Sequence, residues 1–181
     1  MRLDFSQNYF ELFGLPVDFE VDAEALALHY RELQRAVHPD RFAGASDQER
    51  RLSVQHAARI NEAFRTLKDP LARARYLLEL NGVALDDQDT SMAPDFLMEQ
   101  MELREALEGV RGAEQPFDAL SQVRDDIEGR ERTLVMTLRT LFVDGSAQAL
   151  EDAVQVVRKL QFMNRLVDEA NDLEEALIHE S

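Results

Sequence analysis

The sequence of 181 residues contains no cysteine. This absence excludes disulfide bonds, and it excludes a zinc ion or iron–sulfur cluster held by the protein's own thiolates. Histidine does not take over the role of metal ligand, because the spacing of the four histidines fits no metal motif: His29, His38, His56 and His179. No glycine-rich phosphate-binding loop is present either. We therefore expect no metal and no cofactor.

Glycine and proline are also scarce, with seven and five residues. No charge-free apolar run approaches the ~20 residues of a membrane span, and no run alternates in period two for long enough to predict a strand. The N-terminus lacks the apolar core and the cleavage site of a signal peptide. These absences predict an all-α protein that is cytoplasmic and not membrane-bound.

Basic residues are scarce in the second half of the chain. Residues 1–80 hold 11 Lys and Arg against 13 Asp and Glu, whereas residues 81–181 hold 9 against 23. A solvated surface on long helices accounts for most of these charges. Because so acidic a half repels phosphate backbones, we expect no nucleic-acid partner. The asymmetry agrees with a division into two domains.

Apolar residues recur with helical spacing along most of the chain. Asp22 is a candidate N-cap, Asp69-Pro70 is a stop-and-restart signal, and Asn81-Gly82 is typical of a helix end. The predicted helices are a short one at Tyr9–Leu15, then Asp22–Val37, Asp47–Lys68, one from Leu71 to about Leu80, Asp95 to about Val110, roughly Phe117–Val143 and roughly Ala147–Ile178. Short connections predict antiparallel neighbours. The predicted domains are 1–80 and 95–181, joined by a linker at 81–94.

The tripeptide His38-Pro39-Asp40 lies in the loop between the second and third predicted helices. Pro39 fixes its own backbone and moves His38 out of the helical region, so the helix ends there. An acid–base pair is one interpretation, but no nucleophile or oxyanion donor accompanies it. A purely structural loop is another. A rigid docking loop, whose polar side chains bind a partner, is the third.

The surroundings of this tripeptide resemble a J domain, the module that docks on DnaK-type chaperones and triggers their ATP hydrolysis. The similarity extends to the second domain, and the whole chain resembles the HscB family of J-type co-chaperones of iron–sulfur cluster assembly. The segments that carry it are Tyr9–Leu15, Ile60–Phe64, Leu67–Pro70, Leu71–Leu78, Phe96–Glu105 and Val157–Phe162.

This resemblance gives the basic residues near the tripeptide a role. Arg31 and Arg35 lie four residues apart beside the apolar stripe of the second helix, and Arg41 follows the loop. Ordinary solvated charge is the plain interpretation. J domains use a basic face of this helix to approach an acidic chaperone surface. The resemblance therefore implies a chaperone-binding set of Arg31, Arg35, His38, Pro39, Asp40 and Arg41.

The helix predicted from Asp95 is apolar on two sides. Phe96, Leu103, Leu107 and Val110 form one stripe, and Leu97, Met98 and Met101 lie nearly opposite. The second cluster is either ordinary core or a binding patch. The resemblance favours a patch for an IscU-type scaffold, made of Leu97, Met98, Met101, Glu102, Glu105 and Phe162. Where HscB relatives can continue the acidic border, this chain has Gly109.

The sequence thus predicts an adaptor without catalytic residues. Its J domain would recruit and activate a DnaK-type ATPase (HscA), and its C-terminal three-helix bundle would hold the iron–sulfur scaffold protein. One alternative is a general J-domain co-chaperone that serves other client proteins. A structural or regulatory helical module with an accidental loop motif is the alternative from another class.

Overall fold

Seven α-helices and one 3-10 helix make up the regular structure of residues 7–38, 46–85 and 94–180, which are the parts that the computed structural model describes. The all-α prediction is confirmed for these ranges. The helices are α1 (Tyr9–Leu12), α2 (Ala23–Val37), α3 (Asp47–Lys68), α4 (Pro70–Leu80), α5 (Pro94–Gly109), the 3-10 helix Val110–Gly112, α6 (Pro116–Asp144) and α7 (Ala147–Glu180). None of them, within the described ranges, has the length and apolarity of a membrane-spanning helix.

The chain divides into two compact units, Met1–Gly82 and Val83–Ser181. The division falls at the start of the segment that we predicted as a linker, 81–94. Part of that segment, residues 86–93, lies outside the described residues. Each unit is described below by itself.

Side chains at the helix ends explain where the helices start. The Asp22 carboxylate accepts hydrogen bonds from the N–H groups of Glu24 and Ala25, and the Asp69 carboxylate accepts one from Ala72. Such caps satisfy the N–H groups that the first helical turn leaves without partners. Ser46 and Glu49 cap α3 reciprocally. The predicted start of α2 after Asp22 and the restart at Asp69-Pro70 are confirmed.

Helices α2 and α3 form an antiparallel pair in the first unit. The Tyr30 hydroxyl donates a hydrogen bond to Asn61 Oδ1 at 2.9 Å, and its ring stacks on Phe64 with 4.1 Å between centroids. Gln34 Nε2 donates to the same Asn61 oxygen at 2.5 Å. Tyr30, earlier on α2, reaches Phe64, whereas Gln34, one turn later, reaches only the earlier Asn61 in these contacts. The two helices therefore run in opposite directions. The buried residues of this unit include Phe10, Phe13, Phe19, Leu26, Leu33, Val37, Ile60, Ala63, Leu67, Ala74, Leu77 and Leu78.

Helices α1 and α4 close this unit through two tyrosines. The Tyr9 ring stacks on Tyr76 at 4.4 Å between centroids, and the Tyr9 N–H donates a hydrogen bond to the Tyr76 hydroxyl at 3.0 Å. Burial raises the pKa of both phenols, and Glu62 raises that of Tyr9 further. The α1 helix ends at Leu12, earlier than predicted, because Gly14 takes a left-handed backbone with φ of 62°.

The second unit is a bundle of α5, α6 and α7. Gly145 turns the chain between α6 and α7 with φ of 63°, which suits a residue without a side chain. Arg124 on α6 bonds Asn171 and Glu174 on α7, both at 2.8 Å. The core of the bundle contains Phe96, Leu103, Leu107, Val110, Leu120, Val123, Ile127, Phe162, Met163, Leu166, Ala170 and Leu177. The predicted inward stripe of α5 is therefore confirmed.

Candidate functional site

The first candidate surface lies at the C-terminal end of α2. Arg31, Arg35 and His38 are all exposed, whereas Leu33 and Val37 of the same helix are buried. His38 ends the helix with an extended backbone, φ −57° and ψ 132°. The ψ value is the one expected for a residue that precedes proline, and it takes His38 out of the helical region. The structure thus brings two arginines and the histidine to one exposed helix end.

Three residues of the predicted chaperone-binding set lie outside the described residues: Pro39, Asp40 and Arg41. Their positions relative to His38 stay a prediction. The remaining histidines belong to other places. His29 and His56 are half-buried on α2 and α3, and burial lowers the pKa of His56. Within residues 7–38, 46–85 and 94–180, no cluster of His, Asp and Glu is suited to hold a metal ion.

The second candidate surface is the outer face of α5, which we call the α5 patch: Leu97, Met98 and Met101. These side chains are 48, 67 and 66% exposed, although all three are large and apolar. The alternative that they are ordinary core is therefore wrong. Glu102 and Glu105 lie exposed beside them. The resulting surface is an apolar strip with an acidic border, and α5 ends at Gly109 just beyond Glu108.

Phe162, the sixth residue of the predicted scaffold-binding set, is not exposed. Only 3% of it is accessible, so its expected place on a free surface is wrong. Its ring packs edge-to-face against Phe96 with 5.7 Å between centroids and 85° between planes. The helical wheel places Phe162 off the inward stripe of α7. However, α5 packs against that flank of α7 and buries the ring.

Basic side chains that we did not predict hold α5 in the bundle. Arg130 on α6 bonds Glu99 at 2.5 Å and Asp126 at 3.0 Å. Lys159 on α7 lies 5.0 Å from the centre of the Phe96 ring. On α5 itself, Arg104 lies over Phe162. A sequence pattern cannot find the contacts that these residues make between α5 and the other helices, because the partners lie 31 or more positions apart and only the tertiary fold brings them together.

A shallow cavity of about 340 Å³ opens between α5 and α6. It lies against Leu103, Ala106 and Val110 of α5 and the 3-10 helix, and against Gln122 and Asp126 of α6. The Asp126 carboxylate already accepts two hydrogen bonds from Arg130. This cavity therefore offers no acid–base or nucleophilic pair, and the candidate binding surfaces among the described residues stay those on α2 and α5.

Comparison with known proteins finds relatives that match both units of the chain. Residues 92–171 match the family model described as the HSCB C-terminal oligomerisation domain. The co-chaperone protein HscB homologue of Shewanella halifaxensis is 46% identical over 171 residues, which cover 94% of this chain and 98% of that protein. The homologue of Aliivibrio fischeri is 43% identical over 172 residues, with 94 and 99% covered.

Solved structures show the same fold. Chaperone HscB from Vibrio cholerae has a TM-score of 0.84 at 42% identity, covering 94% of this chain and 99% of that one. Human co-chaperone protein HscB has a TM-score of 0.86 at 28% identity, covering 94 and 84%. The Jac1 co-chaperone from Saccharomyces cerevisiae, at 22% identity and a TM-score of 0.71, supports the fold alone.

Proposed function

The chain belongs to the HscB family of co-chaperones, and from this we propose that it delivers an IscU-type iron–sulfur scaffold protein to a DnaK-type chaperone (HscA). The resemblance to HscB that the sequence indicated is confirmed. The relatives are named co-chaperones and not enzymes. In our proposal the protein links two binding events, so that ATP is hydrolysed where the scaffold is held. A cytoplasmic location stays a prediction from the sequence.

The exposed α5 patch is the observation that carries the scaffold part of this proposal. Leu97, Met98 and Met101 have no role in the core, and large exposed apolar clusters on soluble proteins mark interaction sites. Methionine suits such a surface because its flexible, polarisable side chain adapts to a partner. Glu102 and Glu105 would add directional contacts at the border.

Replacing Leu97 and Met101 together by alanine tests the patch. A buried apolar anchor at an interface accounts for about 1–3 kcal/mol, so two should weaken scaffold binding by at least about tenfold. Titration calorimetry with a purified IscU-type scaffold measures the dissociation constant. Met136→Ala is the matched control, because Met136 is 64% exposed and belongs to α6 and not to α5. Equal affinity for the double variant and the wild type would refute the scaffold role of the patch.

The chaperone part of the proposal depends on the end of α2. Arg31 and Arg35 would attract an acidic chaperone surface, and the tripeptide beginning at His38 would make the directional contacts. His38→Gln should reduce the stimulated ATPase rate of a DnaK-type chaperone to background, while the melting temperature stays unchanged because His38 is exposed.

His179→Gln is the control for that substitution, since His179 is also exposed and lies near the end of α7. It should leave the stimulation intact. Survival of full stimulation in His38→Gln would contradict the docking role of the loop. A pull-down of partners from cytosol separates the proposal from a general J-domain co-chaperone, because the latter would recover many unfolded clients in place of one scaffold.

A further inference from the structure

Phe162 lies at the edge of the buried face of α7, between Leu166, which is also buried, and a polar flank. The residues one or two turns away on the same flank are Arg158, which is half-buried, and Arg165 and Glu169, which are exposed. Phe162 is nevertheless only 3% exposed. Side chains of α7 do not cover the polar side of the ring, so α5 contributes to its burial, in part through the edge-to-face contact of Phe96.

Arg104 supplies the outer part of this shielding. Its guanidinium carbon lies 5.8 Å from the centre of the Phe162 ring, within the range of a cation–π contact. Its Nη2 atom lies 3.7 Å from Glu169 Oε1, which is an ion pair but too long for a hydrogen bond. The side chains of Arg104 and Glu169 are 55 and 46% exposed. Exposed contacts of these two kinds each shift an equilibrium by only about two- to fivefold.

Arg104 also adjoins the α5 patch. It follows Met101 by three residues and Leu97 by seven, so the three side chains form one row along α5. Arg104 is the member of this row that reaches Phe162 on α7. A partner seated on Leu97 and Met101 therefore reaches the arginine next. Behind the arginine it meets the aromatic ring.

We propose that Arg104 is a movable cover over Phe162, and that the scaffold protein displaces it on binding so that the ring joins the contact surface. This inference rests on the proposed function of the α5 patch. In the unbound protein the cover keeps the ring away from water, which limits the size of the exposed apolar surface. On binding, displacement of the guanidinium lengthens the apolar strip by one aromatic ring at a small cost.

The absence of tryptophan from the chain allows a direct test of the cover. Phe162→Trp introduces a single indole, whose quenching by acrylamide reports how far the ring is exposed. Addition of Arg104→Ala should raise the quenching constant by at least about twofold, since the cation–π contact and the ion pair are both lost. Arg132→Ala is the control, because Arg132 is exposed and pairs with Glu128 on α6. Equal quenching with and without Arg104 would overturn the proposal.

If the larger indole disturbs the bundle, 4-fluorophenylalanine at position 162 gives the same comparison through its fluorine chemical shift. A shift that moves toward the solvent value in Arg104→Ala supports the cover. An unchanged shift overturns it. Neither measurement needs the scaffold, so the outcome is independent of the proposed function.

Scaffold affinity tests the second half of the proposal. In the chain with native Phe162, Arg104→Ala should bind the scaffold about two- to fivefold more tightly, because no cover has to be displaced. Arg104→Lys should return toward the wild type, since an ammonium group can also lie over the ring. Weaker binding of Arg104→Ala would make Arg104 a direct contact and overturn the cover. If the wild type does not bind the scaffold at all, the proposed function is refuted instead.

Discussion

Basic side chains packed on aromatic rings recur at the scale of single residues. At least five such contacts lie in the described part of the chain: Arg59 on Tyr9, Lys68 on Phe64, Arg73 on Phe19, Arg104 on Phe162 and Lys159 on Phe96. Because the chain has only 20 Lys and Arg and a net charge of −16, a quarter of its cations serve packing. Their removal should affect stability through lost contacts as well as lost charge.

The burial of Phe162 leads to a prediction about stability. Phe162→Ala should lower the free energy of unfolding of the second unit by about 3–5 kcal/mol, because it removes a buried ring packed on Phe96. Met101→Ala should cost far less, since Met101 is exposed. Urea denaturation followed by circular dichroism compares the two variants. A near wild-type transition for Phe162→Ala would show that the ring is not part of the core.

This result also limits what a triple replacement of Leu97, Met101 and Phe162 can show. From the sequence, such a variant would be expected to lose scaffold binding with an unchanged melting temperature. With Phe162 in the core, the melting temperature should fall, and lost binding would then have two causes. The double replacement at Leu97 and Met101 is the cleaner test. The sequence could not give this distinction, because the burial of an edge residue of α7 depends on the position of α5.

At the scale of elements, local signals predicted most helix boundaries. The range Asp47–Lys68 agrees with α3, since Ser46 caps one end and Asp69-Pro70 stops the other. The starts of α5 and α6 were placed one residue late, because Pro94 and Pro116 belong to the first helical turn, where proline is tolerated. At the other end of the chain, α7 continues to Glu180, as no glycine or proline stops it earlier.

The exposed end of α2 leads to a prediction about salt. Replacing Arg31 and Arg35 together by alanine should weaken chaperone docking, and added salt should weaken docking of the wild type more than that of the variant. Exposed charges are screened at a Debye length of ~8 Å near physiological ionic strength. Surface plasmon resonance across a salt series measures the slope. Equal slopes for wild type and variant would exclude a steering role for these arginines.

At the scale of the whole molecule, the two units differ in charge and in chemistry. Most of the net negative charge belongs to residues 81–181, and all three tyrosines belong to residues 1–80. Amino-acid composition alone gives both facts. It does not show that Tyr9 and Tyr76 stack on each other, because the two residues are 67 positions apart and meet only when α1 packs on α4.

The tyrosine pair leads to a prediction about pH. Burial raises the pKa of Tyr9 and of Tyr76 above the ordinary value of 10.0, so folding favours the neutral phenols. Their contribution is complete below pH 10.0 and is lost as the pH rises through the raised folded-state values, since the unfolded chain ionises first. Calorimetric melts at neutral and alkaline pH should show a smaller alkaline loss for Tyr9→Phe than for the wild type. Equal losses would contradict this account.

The placement of the tyrosines also gives the protein an uneven optical signature. With no tryptophan, its intrinsic emission comes from Tyr9 and Tyr76 at the α1–α4 junction and from Tyr30, which is bonded to Asn61 on α3. The bundle of α5, α6 and α7 has no tyrosine and emits very little fluorescence by comparison. Unlabelled protein can thus report events in its first unit without interference from its second. An indole introduced into the bundle would provide a separate fluorescence signal for the second unit.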